Sequence, residues 1–150
     1  MRAPEDLTVL IVDDNDYGRI LLSTSLEKLG IGRAVGVPDA LEAIAFLTKE
    51  KADIALVDWY MPEINGAGFI RLMRQLGHDV PVVICTAYAT SENVKRIRGL
   101  GLQHVLVKPH DDNALLRTIW AALRDHDTAA GSANVPLAAS EEDDEDQVFL

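Results

Sequence analysis

The chain has 150 residues and a mass of 16.4 kDa, is 48% hydrophobic and 25% charged, and carries a formal net charge of -10. That length suits a single hydrophobic core, and a pI near 4.7 speaks against a nucleic-acid surface, which needs clustered Lys and Arg. No apolar run approaches the roughly 18–20 residues of a membrane span and no signal peptide is recognisable, so a cytoplasmic protein without a membrane partner is expected.

The charge is unevenly placed. Residues 1–125 hold 14 Lys and Arg against 17 acids, a net of -3, whereas residues 126–150 hold 7 acids and no Lys or Arg, a net of -7. A nearly balanced domain over 1–125 and a disordered acidic tail over 126–150 are expected. Cys85 is the single cysteine, which leaves no internal disulfide and no Cys-based zinc site.

Within the domain, short apolar runs rich in Val and Ile at 7–12, 34–37, 54–57, 80–85 and 105–107 read as strands buried on both faces. Segments with helical spacing separate them. Leu22, Leu26 and Leu29 share a stripe in the first, and Gly30 is its natural stop. Asp39 is a plausible cap for the second, ahead of Leu41, Ile44 and Leu47. The third carries Phe69, Ile70, Leu72, Met73 and Leu76 before Gly77. Thr90 or Ser91 caps the fourth, with Val94 and Ile97 on one side and Gly99 and Gly101 at its end. The fifth runs from about Asp111 to Arg124, with Leu115, Ile119, Ala122 and Leu123 on one stripe.

Strand and helix alternating five times predict a doubly wound α/β sandwich, a five-stranded parallel sheet with helices on both faces. Such sheets hold ligands outside the carboxyl ends of their strands. The residues just after the apolar runs are Asp13 and Asp14, Asp58, Thr86 and Lys108. One such Asp is ordinarily a turn former or a cap. Three carboxylates on one edge are different, because each close pair repels by roughly 3–4 kcal/mol at an effective dielectric near 20. A cation offsets such a cluster, and an all-oxygen donor set favours Mg²⁺. With a hydroxyl at Thr86 and an ammonium at Lys108, the edge is equipped to cradle a phosphoryl group and form an acyl phosphate.

Val12-Asp13-Asp14, Asp58-Trp59-Tyr60-Met61-Pro62, Gly66, Thr86-Ala87 and Lys108-Pro109, in that order and spacing, resemble the receiver domain of two-component response regulators, most closely the stand-alone CheY-like type. The resemblance spans about residues 5–125. It implies a flavodoxin-like fold with Asp58 as phosphoryl acceptor. Mg²⁺ would be held by Asp14, Asp58 and the Tyr60 carbonyl, with Asp13 acting through water. Thr86 and Lys108 would meet the phosphoryl oxygens, and the Lys108-Pro109 bond is often cis in the family. The implied partners are a histidine kinase or histidine phosphotransfer protein upstream and a protein target downstream. Output by protein contact is expected, since 25 tail residues are too few for a DNA-binding domain. The resemblance implies catalysis limited to self-phosphotransfer and slow autodephosphorylation.

Three departures stand out. The switch position, three residues before the lysine, usually holds an aromatic ring and here is Val105. Tyr60 and Tyr88 occupy positions that tune autodephosphorylation, and two rings there are expected to crowd the attacking water and slow phosphate loss. Outside the core stripe, Leu116 and Trp120 pair at i, i+4 near Lys95. In relatives that fourth-helix, fifth-strand and fifth-helix face meets partners or a second receiver, so an exposed Trp120 beside Lys95 is a candidate homodimer contact. Two other readings remain. Asp14-Asn15-Asp16 also resembles the opening of haloacid-dehalogenase-type phosphatases, and a phosphorylation-independent docking module would keep the same fold.

Overall fold

The computed structural model describes residues 2–131. After a short 3-10 turn at Pro4–Asp6, the elements are β1 (Thr8–Val12), α1 (Asp16–Lys28), β2 (Arg33–Val37), α2 (Ala40–Lys49) and β3 (Ile54–Asp58). Beyond them come α3 (Gly66–Gln75), β4 (Val82–Thr86), α4 (Ser91–Gly99), β5 (Val105–Val107) and α5 (Asp112–Gly131). All strands are parallel, in the order β2-β1-β3-β4-β5. The chain winds outward from β1 to β2, then returns past β1 to β3. The crevice between the ends of β1 and β3 is therefore the topological switch point.

Alternation along the strands divides the core into two layers. Leu10, Val12, Ala55, Val57 and Ile84 face one way, onto Ala43 and Leu47 of α2, Phe69 and Met73 of α3, and Ile97 of α4. Val9, Ile11, Leu56, Val83 and Leu106 face the other, onto Leu22 and Leu26 of α1 and Leu115, Ile119 and Leu123 of α5.

Local chemistry sets where the helices start and stop. Asn15, Asp39, Asn65 and Thr90 cap α1 to α4, each side-chain oxygen accepting a backbone N–H three residues on. Gly30 and Gly77, at φ +83° and +84°, take the left-handed conformation just past α1 and α3.

Two boundaries differ from expectation by more than one residue. The fourth strand begins at Val82, not residue 80, because Pro81 has no N–H to give the ladder. The fifth helix continues past Arg124 to Gly131. Its apolar stripe stops at Leu123, and polar contacts hold the remaining turns: His104 Nε2 lies 2.8 Å from Asp125, His126 Nε2 lies 3.0 Å from Asp79, and Arg2 lies 3.4 Å from Asp127. Apolar periodicity carries no trace of such contacts. The acidic run at 141–146 lies outside the described residues, and among the described residues no helix is long and apolar enough to cross a membrane.

Leu56 is 1% exposed at the centre of the sheet. Leu56→Ala is expected to cost roughly 2–5 kcal/mol in urea unfolding, through lost burial and the cavity left behind.

Candidate functional site

Register builds the site. Val12 pairs with Val57, so Asp13 and Asp58 emerge side by side at the switch point. Asp58 pairs with Cys85, which sets Thr86 one step beyond, and Thr86 pairs with Val107, which sets Lys108 one step beyond that. Successive ladders thus deliver acids, hydroxyl and ammonium to one edge.

Asp13, Asp14 and Asp58 each present a carboxylate oxygen, and these three atoms all lie within 4.8 Å of one another. Asp13 is buried, Asp58 half-buried and Asp14 exposed, so the cluster opens to solvent on one side. Both Asp13 oxygens are engaged: Oδ1 accepts the Asn15 N–H at 2.9 Å, and Oδ2 accepts from Lys108 Nζ at 3.3 Å. Lys108 Nζ also stands 3.9 Å from Asp58 Oδ1.

Burial is the largest influence on Asp58 and pushes its carboxyl up from 3.8 to about 6; Lys108 opposes this, Asp13 and Asp14 reinforce it, and the Tyr60 N–H bonds the carboxylate and lowers it. For Lys108 burial works against the charge, but Asp58 and Asp13 outweigh it and hold the ammonium above its ordinary range. Burial pushes the neighbouring Cys85 thiol up to about 12, so it supplies no thiolate at neutral pH. A donor set of carboxylate oxygens, with two of the three acids open to entry, fits a hard divalent cation such as Mg²⁺.

Thr86 is 1% exposed, and its Oγ1 accepts the Tyr88 N–H at 3.0 Å. The Lys108-Pro109 bond is cis. Gly66 starts α3 where a Cβ would stand 2.9 Å from the Asp58 carbonyl oxygen. Tyr60 and Tyr88 are 51% and 62% exposed and meet edge to face, with ring centroids 5.6 Å apart. Val105 is half-buried against the α2–α4 layer.

The residues expected to form a partner face are only partly as predicted. Lys95 is exposed on α4. Trp120 is half-buried against the α1–α5 layer, and Leu116 is half-buried too, so the expected exposed ring is not found. The reason is packing: Trp120 lies against the apolar layer whose α5 members are Leu115, Ile119, Ala122 and Leu123. Asp16 also stays out of the acid cluster, pairing instead with Arg19, which leaves the phosphatase-type pair Asp14 and Asp16 divided.

Sequence reasoning missed three residues. Arg19 donates to the Asp13 carbonyl at 2.6 Å. At Gly18 a Cβ would lie 2.9 Å from Asp13 Oδ2, so only glycine leaves that carboxylate its place. Asn93, 4% exposed, donates from Nδ2 to both the Tyr60 hydroxyl at 2.7 Å and the Tyr88 carbonyl at 2.8 Å. A glycine shortly after a strand-end acid pair was a visible signal for Gly18; a polar residue inside a helix gave none for Asn93.

The model of the response regulator receiver domain matches residues 9–120. The chain belongs to that family. It is 36% identical over 115 residues to the sensor histidine kinase RcsC of Salmonella typhi, covering 77% of this chain but 12% of that protein. It is 30% identical over 129 residues to the probable chemotaxis protein CheY of Rhizobium etli, covering 83% of this chain and all of the relative. Among solved structures it is similar to the chemotaxis protein CheY4 of Vibrio cholerae, with TM-score 0.71, 27% identity, and coverage of 77% of this chain and 98% of that one. This is a response regulator receiver domain with the flavodoxin-like fold. The match spans Asp58 and Lys108, and the phosphatase reading leaves the segment from Asp58 to Pro62 without a role.

Because the folded state raises the Asp58 pKa from 3.8 to about 6, it binds a proton more tightly than the unfolded chain between those values. Without divalent cations, stability therefore falls as pH rises through about 4 to 6, and the full penalty, roughly 2–3 kcal/mol, stands above 6. Asp58→Asn removes it. In metal-free urea unfolding the variant is expected to be the more stable at pH 7.5, with the gain gone below pH ~4.

Proposed function

We propose that this receiver accepts a phosphoryl group on Asp58 from a phosphohistidine-bearing kinase or phosphotransfer protein, and signals through phosphorylation-dependent protein contacts. The observation that carries this is the convergence of Asp13, Asp14 and Asp58 within 4.8 Å, with Lys108 3.3 Å from Asp13 and 3.9 Å from Asp58. Asp13, Asp14, Asp58 and the Tyr60 carbonyl are the groups that would hold Mg²⁺. When bound, that cation neutralises carboxylate charge and polarises the phosphoryl oxygens.

In the transfer, an Asp58 carboxylate oxygen attacks phosphorus, the P–N bond to the donor's imidazole breaks, and the departing imidazole takes up a proton. Lys108 matches charge growing on the phosphoryl oxygens, and the buried Thr86 hydroxyl donates a hydrogen bond. The product adds about -1.5 to -2 charge at neutral pH. That charge biases an equilibrium between receiver conformations, which is how occupancy becomes a contact signal.

Support for a protein donor comes from the rim. On α1, Tyr17, Ile20 and Leu21 are 69%, 61% and 50% exposed, shortly after the acids at 13 and 14. A hollow lined by Leu21, Leu22, Ala87, Pro109 and His110 continues this apolar surface past Lys108. A donor protein presenting its histidine to Asp58 would seat a helix or loop on this surface.

Labelling with acetyl phosphate and Mg²⁺ tests the reading: wild type takes up label, and Asp58→Asn takes up none. A label surviving in Asp58→Asn overturns Asp58 as acceptor, and an unlabelled wild type returns the docking module. Ile20→Glu is expected to slow transfer from a phosphohistidine protein by roughly tenfold, the effect of about 1.4 kcal/mol, while keeping acetyl phosphate labelling. Label on Asp58 is expected to decay slowly in wild type and faster in Tyr60→Asn and Tyr88→Ala; equal half-lives remove the tyrosines from that role.

A further inference from the structure

A chain of hydrogen bonds connects Tyr60, two residues past the acceptor, to the Thr86 hydroxyl by way of α4. The Tyr60 hydroxyl accepts from Asn93 Nδ2 at 2.7 Å, and the Tyr88 carbonyl accepts from the same nitrogen at 2.8 Å. The Tyr88 N–H donates to Thr86 Oγ1 at 3.0 Å. The two rings touch edge to face, so the link is packed as well as bonded.

Asn93 sits in the first turn of α4, where its own N–H donates to Thr90 Oγ1 at 3.1 Å. Its buried side chain meets two acceptors, the Tyr60 hydroxyl and the Tyr88 carbonyl. An amide supplies two N–H bonds from one nitrogen, which suits two acceptors at once. A carboxylate would set its negative charge against the partial negative charge of the Tyr88 carbonyl oxygen, and an aliphatic side chain would leave that carbonyl without this donor. The residue type therefore answers to both loops, not to helix propensity, since Asn is a poor interior helix former.

We propose that Asn93 is the positioning residue that couples the Asp58 site to α4, the part that an aromatic side chain at position 105 would otherwise play. Val105 has no ring to carry such a signal, and its side chain is half-buried against the α2–α4 layer. A phosphoryl group on Asp58 draws the Thr86 hydroxyl toward it. That displaces the Tyr88 segment, whose carbonyl is bonded to Asn93, and the first turn of α4 moves with it. The coupling rests on Asp58 phosphorylation as proposed above and adds the route by which it reaches a surface.

Amide hydrogen exchange along α4, measured in the full chain with and without acetyl phosphate and Mg²⁺, tests it. Phosphorylation is expected to change α4 exchange several-fold in wild type, not at all in Asn93→Ala, and by less in Tyr60→Phe. The Tyr60→Phe change leaves the backbone carbonyl and ring in place and removes one bond. Adding it to Asn93→Ala should have no further effect. Each response is a difference within one variant, so a uniform loss of stability does not produce the pattern. Should Asn93→Ala fail to fold, a wild-type response in Tyr60→Phe overturns the coupling. An undiminished α4 response in a folded Asn93→Ala, or a labelled wild type without one, overturns the coupling alone. A wild type that takes no label overturns the coupling and the phosphoryl reading together.

Discussion

Three carboxylates held within 4.8 Å of one another are the constraint around which this molecule is arranged. Each pair repels by a few kcal/mol at an effective dielectric near 20. An isolated loop would splay to relieve that. Here the acids cannot separate, because Asp13 follows β1 and Asp58 ends β3, adjacent strands locked in register from Val9 and Ile54 to Val12 and Val57. Sliding one strand by a residue would turn every apolar side chain of Val9–Val12 to the wrong layer. The two apolar layers thus supply the rigidity that keeps like charges together, and Lys108, delivered by the outermost ladder, offsets part of the repulsion.

Most of this was legible in the sequence for a simple physical reason. Strands buried on both faces must be apolar throughout, so the first polar residue after each one marks where the sheet ends. Asp13, Asp58, Thr86 and Lys108 were found that way. The start of α2 was equally plain, because Asp39 satisfies an N–H group that nothing else reaches, and Thr90 was one of the two caps read for α4.

What stayed hidden depends on contacts far apart in the chain. The last turns of α5 carry no apolar stripe and are held through Asp79, His104 and Arg2, distant residues whose proximity no local pattern encodes. Trp120 misled for the opposite reason. Its i, i+4 spacing from Leu116 was real, but whether that second stripe faces solvent depends on how α5 leans against the α1–α5 layer. Asn93 was invisible on both counts, being polar, inside a helix, and bonded to groups 33 and 5 residues distant.

The same constraint explains why such a fold can respond to an added charge at all. An acceptor carboxyl raised to about 6 by burial means that the unoccupied, ionised site stores unfavourable free energy at neutral pH. Domains of this size have a net stability of only about 5–15 kcal/mol, so a penalty of a few kcal/mol at one edge is a substantial bias. Any occupant that relieves it gains binding free energy that is already present before contact. A conformation that brings the Thr86 hydroxyl closer to Asp58 gains a further hydrogen bond when the occupant supplies an oxygen for it. The electrostatic frustration of the acid cluster and the sensitivity of its neighbours to occupancy are therefore one property. A sheet edge with a comfortable, fully paired carboxylate would be more stable and would have little free energy left to pass on.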